Sequence, residues 1–243
     1  KILFITLSLP VSHFLAPLLE KMNHVAFANE DNPVLKEASS MVLLKHLREY
    51  GMAAKESQPG HAKLRRASVM IIISQDLKIL MTKRSLKLKS HPGEVCFPGG
   101  KQDEEDGGDD VVTALRETKE EVGLDLLNIS KDAMLICRLP TLESLNHLCV
   151  TPIVGFVDVS SEYLSSKFKI NTDEVDKAFW TPLKYFWEEP PVEQFDIEWS
   201  GGHFVFRKYL FQHTEKQSFS ITGLTAHVAH ETASIAYNQG GDV

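Results

Sequence analysis

Three glutamates within five residues carry the strongest chemical signal in this sequence. Glu117, Glu120 and Glu121 are spaced as neighbours on a helix, which turns by about 100° per residue. We expect them to share one exposed face. A narrow stripe on the other side is predicted to face the core: Val111, Leu115, Thr118 and Val122.

Crowded carboxylates of this kind indicate a metal site. Like charges at helical spacing repel one another, and helix propensity does not require them. A divalent cation would relieve the repulsion, and oxygen-only ligands suit Mg²⁺ or Mn²⁺, which bind phosphate oxygens together with a few carboxylates. The alternative is a solvated acidic face partly neutralised by Arg116 and Lys119.

The elements around these glutamates can be predicted from the apolar pattern. A helix over 111–122 should follow the turn at Gly99 and Gly100 and an acidic loop at 103–110, and should end at Gly123. A β-hairpin is expected over 67–74 and 77–82, then a short strand at 94–97. Later elements are strands at 134–138, 149–157, 197–199 and 204–211 and a helix at 224–236. The fold class is α/β or α+β, with a mixed sheet sandwiched between helices.

The first 64 residues differ from the rest. Residues 2–19 are apolar but are interrupted by Pro10 and Pro17, which disfavours a stable membrane span. The segment could be part of a targeting sequence or an apolar extension of the domain. A helix is expected over 32–50, ending at Gly51, before a polar connector. We therefore predict an N-terminal extension over 1–64 and one domain over 65–243.

Composition places the chain among ordinary globular proteins. It has 243 residues, of which 43% are hydrophobic and 24% charged. The net charge of −7 opposes binding to nucleic acid through its phosphates. Cys96, Cys137 and Cys149 form no Cys-x-x-Cys pair, so we expect reduced, packed thiols in an intracellular protein.

The glutamates belong to a longer pattern that is typical of one family. Residues 99–101 read Gly-Gly-Lys, and residues 116–124 read Arg-Glu-Thr-Lys-Glu-Glu-Val-Gly-Leu. Together they resemble the Nudix box, the loop–helix–loop of the Nudix hydrolases. Two features depart from it: Thr118 takes an aliphatic position, and the loop before Arg116 is two residues longer and lacks the expected glutamate. Asp106 or Asp109 could replace that side chain.

A second motif lies immediately upstream. Residues 80–85 read Leu-Met-Thr-Lys-Arg-Ser, and residues 93–101 read Gly-Glu-Val-Cys-Phe-Pro-Gly-Gly-Lys. This resembles the motif of the coenzyme A diphosphatase branch of the Nudix family. The resemblance implies that substrate contacts lie along the motif: Lys83, Arg84, Ser85, Glu94, Gly99, Gly100 and Lys101. Coenzyme A carries a 3′-phosphate beside its diphosphate, which suits the two cations of Lys83 and Arg84.

The resemblance also implies a mechanism and a cofactor. Mg²⁺ or Mn²⁺ held by Glu117, Glu120 and Glu121 would bind the diphosphate, and water would attack one phosphorus. The products would be 3′,5′-ADP and 4′-phosphopantetheine. Arg116 is expected to orient the carboxylates. The general base is left open between Glu174, in the segment Asn-Thr-Asp-Glu-Val at 171–175, and Glu94. Glu174 could instead be an extra metal ligand.

Two other functions remain compatible with the sequence. One is a Nudix hydrolase for another small molecule, such as ADP-ribose, a dinucleotide or a damaged nucleoside triphosphate. The other is a Nudix-fold binding module without turnover. By family resemblance the compartment is the peroxisome, the mitochondrion or the cytosol, although the chain does not end in a Ser-Lys-Leu address.

Overall fold

A computed structural model describes residues 33–53, 64–129, 133–199 and 202–237. The chain divides into two compact units, residues 1–42 and residues 43–243. In the first unit, the described residues 33–42 are the beginning of helix α1, which runs over Pro33–Ala53. All further elements belong to the second unit. The apolar segment at 2–19 lies outside the described residues.

A mixed sheet of eight strands forms the centre of the second unit. Its strands are β1 (Arg65–Ser74), β2 (Lys78–Arg84), β3 (Val95–Cys96), β4 (Gly99–Lys101), β5 (Met134–Arg138), β6 (Leu142–Glu143), β7 (Leu148–Val157) and β8 (Val175–Pro182). The main path is β3-β2-β1-β7-β5, while β4 pairs with β1, β6 with β7 and β8 with β2. Strands β1 and β7 are parallel, and the other pairs are antiparallel.

Helices cover both faces of this sheet. Helix α2 (Asp110–Val122) packs on one face, where Met70 and Ile72 of β1 are buried. On the other face, Ile71 of β1 belongs to the same buried core as Leu47 of α1 and Ala233 of the C-terminal helix. Successive strand residues point to opposite faces, so a strand segment buried on both sides is apolar at consecutive positions, as β1 is over 69–73.

The remaining elements are a second sheet and several short helices. Strands β9 (Glu193–Trp199), β10 (Gly202–Thr214) and β11 (Gln217–Thr222) form an antiparallel sheet in the order β11-β10-β9. The helices are α3 (Leu126–Ile129), α4 (Ser161–Ser165), α5 (Tyr185–Glu188) and the C-terminal α6 (Gly223–Tyr237), and a 3₁₀ turn covers Glu104–Asp106.

The predicted fold class, a mixed sheet between helices, is confirmed. The hairpin, the helix before Gly123 and the C-terminal helix lie where the pattern placed them, within a few residues. Helix α1 continues two residues beyond Gly51, and strands β4, β6, β8 and β11 were not predicted. Gly99 and Gly100, expected to form a turn, lie in β4. The domain boundary at residue 65 stays a prediction. Among the described residues, no helix is long and apolar enough to cross a membrane.

Candidate active site

Helix α2 is held at both ends by residues suited to those positions. The Asp109 carboxylate accepts a hydrogen bond of 2.9 Å from the backbone N–H of Val111, which caps the first turn. Gly123 ends the helix in a left-handed conformation, with φ of 76°. The start and the end of the glutamate-bearing helix are therefore set by local residues.

The predicted exposed face of three carboxylates is wrong. Glu121 is buried, with 3% of its surface exposed, and the side chain of Glu117 is 15% exposed. Only Glu120 projects into solvent, with a side chain 52% exposed. The helix buries a wider arc than its apolar stripe because the backbone of β4 covers the side that carries Glu117 and Glu121.

The two glycines of β4 make this close approach possible. The backbone N–H of Gly99 donates a 3.3 Å hydrogen bond to Oε2 of Glu121. A Cβ atom on Gly100 would overlap the carboxylate of Glu117, and one on Gly99 would overlap the backbone of β1. A side chain at Gly100 would displace either the Glu117 carboxylate or the strand, and one at Gly99 would push β4 away from β1.

Arg116 ties the acidic loop to the glutamates. Its Nε and Nη2 donate hydrogen bonds of 2.9 Å to the two oxygens of Asp106, whose side chain is 1% exposed. Its Nη1 donates to Glu117 at 3.0 Å and to Glu120 at 2.9 Å. Its Nη2 also donates to the backbone oxygen of Lys101. Arg116 thus connects the loop, β4 and the helix face.

Asp106 and Asp109 were the two candidates to replace the glutamate that the box pattern expects. Of the two, Asp106 contacts Arg116. Thr113 Oγ1 donates to Asp106 at 2.9 Å, and the backbone N–H of Asp103 does so at the same distance. Asp109 instead caps α2 and forms an ion pair of 2.8 Å with Arg138. The part played by Thr113 had no signal in the sequence.

The carboxyl groups of the site have pKa values shifted in opposite directions. Burial raises the pKa of the Glu121 carboxyl to about 8, and the charge of Glu117 adds to the shift. Burial also raises the pKa of Glu117, while Arg116 acts against it. In contrast, hydrogen bonds from Arg116 hold the pKa of Asp106 well below its usual range. Two carboxyl groups are thus kept where ionisation is costly unless a positive charge approaches.

The donor chemistry fits a hard divalent cation. Glu117 and Glu121 offer only oxygen atoms and repel one another in a partly desolvated site, which a bound Mg²⁺ or Mn²⁺ would relieve. In the part of the chain that the structure describes, no three His, Cys, Asp or Glu side chains already form a metal-binding group. Arg116 supplies the positive charge beside Glu117 and Glu120.

The predicted substrate cations differ in their surroundings. Lys83 forms an ion pair of 2.7 Å with Asp176. Arg84 lies close enough to Glu121 to lower the pKa of that carboxyl, and its buried Nε has no hydrogen-bond partner among the described residues. Ser85 is buried and supports the following turn, and Lys101 is exposed at the end of β4. Of the predicted substrate cations, Arg84 is therefore the one that acts electrostatically on Glu121.

The two candidate bases lie in different places. The charge of Glu174 adds to the raised pKa values of Glu117 and Glu121. Glu94 is bound instead to His91, with 2.8 Å between its Oε2 and Nδ1, and its side chain is 57% exposed. Of the two candidate bases, Glu174 is therefore the one that interacts electrostatically with Glu117 and Glu121.

The loop that carries Glu174 is attached to the site by its backbone. The N–H of Asn171 donates to the backbone oxygen of Glu121 at 2.9 Å, and the N–H of Ser85 donates to that of Glu174 at 2.8 Å. The loop then enters β8, which pairs with β2 so that Arg84 lies opposite Val175. Nothing in the sequence indicated the backbone contact of Asn171 with Glu121.

The family comparison agrees with this geometry. The NUDIX domain family matches residues 63–200, which is more than half of the chain. The chain belongs to the Nudix hydrolase family. Helix α2, with the acidic loop and β4, is its Nudix box. Thr118 fits the aliphatic position of the box because it is buried and its hydroxyl donates to the Ala114 backbone oxygen at 2.7 Å.

Two curated relatives show the extent of the similarity. The chain is 33% identical over 192 residues to the mitochondrial Nudix hydrolase 15 of Arabidopsis thaliana, covering 77% of this chain and 64% of that protein. It is 38% identical over 164 residues to the peroxisomal coenzyme A diphosphatase NUDT7 of Mus musculus, covering 67% of this chain and 65% of that protein. The chain thus spans just under two thirds of the length of each.

A solved structure is also similar. The MutT/nudix family protein from Enterococcus faecalis matches with a TM-score of 0.41 and 15% identity, covering 86% of this chain and 73% of that protein.

Proposed function

We propose that this Nudix chain is a metal-dependent diphosphatase that hydrolyses coenzyme A or its thioesters. The products would be 3′,5′-ADP and 4′-phosphopantetheine or its acylated form. The observation that carries the proposal is the pair of buried carboxylates, Glu117 and Glu121, held against the backbone of β4 with Arg84 beside them. The location of such an enzyme in the peroxisome, mitochondrion or cytosol stays a prediction.

The residues of the site would have three separate roles: holding the metal, orienting the carboxylates and binding phosphate. Glu117, Glu120 and Glu121 would hold Mg²⁺ or Mn²⁺, which when bound neutralises charge on phosphoryl oxygens and acidifies water. Arg116 would orient Glu117 and Glu120 through its hydrogen bonds. Arg84, assisted by Lys83 and Lys101, would bind phosphate groups.

Glu174 is the proton acceptor that the electrostatics favour. It would take the proton from water as the water oxygen bonds to one phosphorus and the bond from that phosphorus to the bridging oxygen breaks. Its charge reaches Glu117 and Glu121, whereas Glu94 is engaged with His91. We therefore place Glu174 ahead of Glu94 as general base.

The choice of coenzyme A is supported by the motif and by a relative. The segment from Lys83 to Lys101 resembles the coenzyme A diphosphatase motif, and the mouse relative bears that name. Coenzyme A has three phosphate groups, so it gains more from several cations than a plain nucleoside diphosphate does.

Substrate cleavage tests the proposal directly. Coenzyme A, acetyl-coenzyme A, ADP-ribose, NADH and 8-oxo-dGTP are incubated with the full chain and Mg²⁺ or Mn²⁺, and the products are identified by mass. We expect 3′,5′-ADP from coenzyme A, and a loss of ~10²-fold or more in kcat for Glu121→Gln, because a buried anion of the metal site is removed. The matched variant Glu104→Gln, in the exposed acidic loop, should keep full activity.

Other outcomes would change the conclusion. Cleavage of ADP-ribose, NADH or 8-oxo-dGTP in preference to coenzyme A would retain the Nudix chemistry and replace the substrate. An absence of metal-dependent cleavage across the panel would favour the binding module.

A further inference from the structure

The end of helix α2 is completed by a segment that lies far away in the sequence. The last C=O groups of a helix have no partner within it. Here the N–H of Asn171 donates to the Glu121 backbone oxygen, and the N–H of Lys169 donates to that of Val122, both at 2.9 Å. The part of the helix that carries the buried Glu121 is therefore attached directly to Asn171.

Asn171 also organises the turn that carries Glu174. Its backbone oxygen accepts hydrogen bonds from the N–H groups of Glu174, at 3.1 Å, and Val175, at 2.8 Å. Its side-chain Oδ1 accepts a third bond, of 3.2 Å, from the N–H of Asp173, which makes an Asx turn. The consecutive N–H groups of residues 173–175 thus all donate to one residue, and that residue is bonded to Glu121.

The other side of the turn is fixed at the end of β2. The N–H of Ser85 donates to the Glu174 backbone oxygen at 2.8 Å, and Val175 lies opposite Arg84 in the pairing of β2 with β8. The backbone of Glu174 is therefore held between the end of α2 and the residue that follows Arg84.

Two ion pairs also reach this turn, but they are more exposed. Lys87 pairs with Asp173 at 2.9 Å, and both side chains are largely exposed. Lys83 pairs with Asp176 at 2.7 Å, and the Asp176 side chain is half-exposed. Exposed ion pairs contribute little to stability and weaken in salt. The position of the turn should therefore depend more on its hydrogen bonds with Asn171 than on these charges.

We infer that Asn171 is a positioning residue that acts through Glu174. The inference rests on the proposed function in that Glu174 takes part in hydrolysis, whether it accepts the proton or binds the metal. The N–H, the backbone oxygen and Oδ1 of Asn171 are all bonded within the chain, so its effect on the reaction is indirect. Displacement of a reacting group by about 1 Å can cost about 10²-fold in rate, so the geometry of this turn matters.

Removal of the Asn171 side chain should lower the rate without affecting substrate binding. Asn171→Ala deletes the acceptor for the Asp173 N–H and leaves the backbone bonds. For the preferred diphosphate substrate we expect kcat to fall by ~10-fold with KM nearly unchanged. Asn171→Asp keeps an acceptor at the same position and should retain most of the kcat. The matched control Asn128→Ala, at an exposed asparagine that bonds Asp125, should keep full activity.

A double-mutant cycle shows whether Asn171 acts through Glu174. We expect Glu174→Gln alone to lower kcat by ~10²-fold. The double variant should be no slower than Glu174→Gln, because no carboxylate is left to position. Losses that add would overturn the inference, and so would an Asn171→Asp variant that is as slow as Asn171→Ala. If Glu174→Gln keeps its kcat, the base assigned in the proposed function is wrong; if only Asn171→Ala keeps its kcat, the inference alone fails.

Amide hydrogen exchange tests the turn without any need for activity. Measured by NMR, the N–H of Asp173 should exchange ~10-fold faster in Asn171→Ala than in the unchanged protein, because its hydrogen bond is lost. Exchange in Asn171→Asp should remain slow, and the core amides of β1 should stay protected in all three proteins. Equal exchange of Asp173 in all three would overturn the inference even if no substrate is cleaved.

Discussion

At the scale of single residues, the site depends on how Arg116 is held. Its planar guanidinium forms two parallel hydrogen bonds with Asp106 and leaves Nη1 to bond both Glu117 and Glu120. A lysine could not reproduce this fork. We therefore expect Asp106 to be a positioning residue that acts through Arg116.

The variant Asp106→Asn should separate positioning from folding. We expect it to lower the free energy of unfolding by about 2 to 4 kcal/mol, because it removes one charge from a buried pair. We also expect kcat on the preferred diphosphate substrate to fall by ~10-fold or more with KM nearly unchanged, because the glutamates lose their orientation. Urea unfolding and steady-state kinetics measure the two effects.

The exposed neighbour Glu105 provides the control. Glu105→Gln should change neither quantity. A variant Asp106→Asn that loses stability but keeps its kcat would show that Asp106 is structural only.

At the scale of elements, the contact between β4 and α2 creates the site. The glycine backbone of β4 lies so close to the helix that Glu121 is buried and Glu117 is largely buried, although both side chains are ionisable. Strand β8 makes a second contribution, because its pairing with β2 places Glu174 within electrostatic range of that pair.

The substitution Gly100→Ala should test the closeness of this contact. Its Cβ would overlap the Glu117 carboxylate, so either the strand or the glutamate must move. A displacement of about 1 Å is expected to lower kcat by ~10²-fold. Steady-state kinetics with the preferred substrate measures the loss.

Gly155→Ala is the matched control in the same sheet. Its Cβ would meet Met70 Sδ at 3.6 Å, an ordinary contact, so activity should be retained. Equal losses for the two variants would mean that glycine in the sheet matters for the fold rather than for the site.

At the scale of the whole molecule, the compact unit starts before the domain boundary predicted at residue 65. Leu43, Leu44 and Leu47 of α1 lie in the same core as β1 and α6. Tyr50 of the same helix lines a cavity beneath α6. The second half of α1 therefore belongs to the core of this unit.

Truncating a core leucine of α1 should destabilise the entire unit. Leu47 is fully buried, so we expect Leu47→Ala to lower the free energy of unfolding by about 2 to 5 kcal/mol. The loss should appear in a single urea transition. Leu86→Ala, at a side chain 72% exposed, should change stability by less than about 0.5 kcal/mol. A negligible effect of Leu47→Ala would place α1 outside the cooperative unit.

The sequence by itself determined the family, the fold class and the positions of most elements. These follow from local patterns: strands rich in Val and Ile, helical spacing of Glu117, Glu120 and Glu121, and glycines at the ends of elements. Such patterns depend on neighbours within a few residues, which the sequence displays directly.

Only the tertiary structure decided which carboxylates are buried and which residues meet. Helical spacing predicted that Glu121 is exposed, but β4 covers it. Glycine has no Cβ, so the backbone of Gly99, which lies 22 residues before Glu121 in the sequence, can approach the helix closely. The choice of Asp106 over Asp109, the approach of Glu174 and the cavity at Tyr50 likewise depend on contacts between distant segments. Distances of this kind are set by packing of the whole chain, and no periodicity along the sequence encodes them.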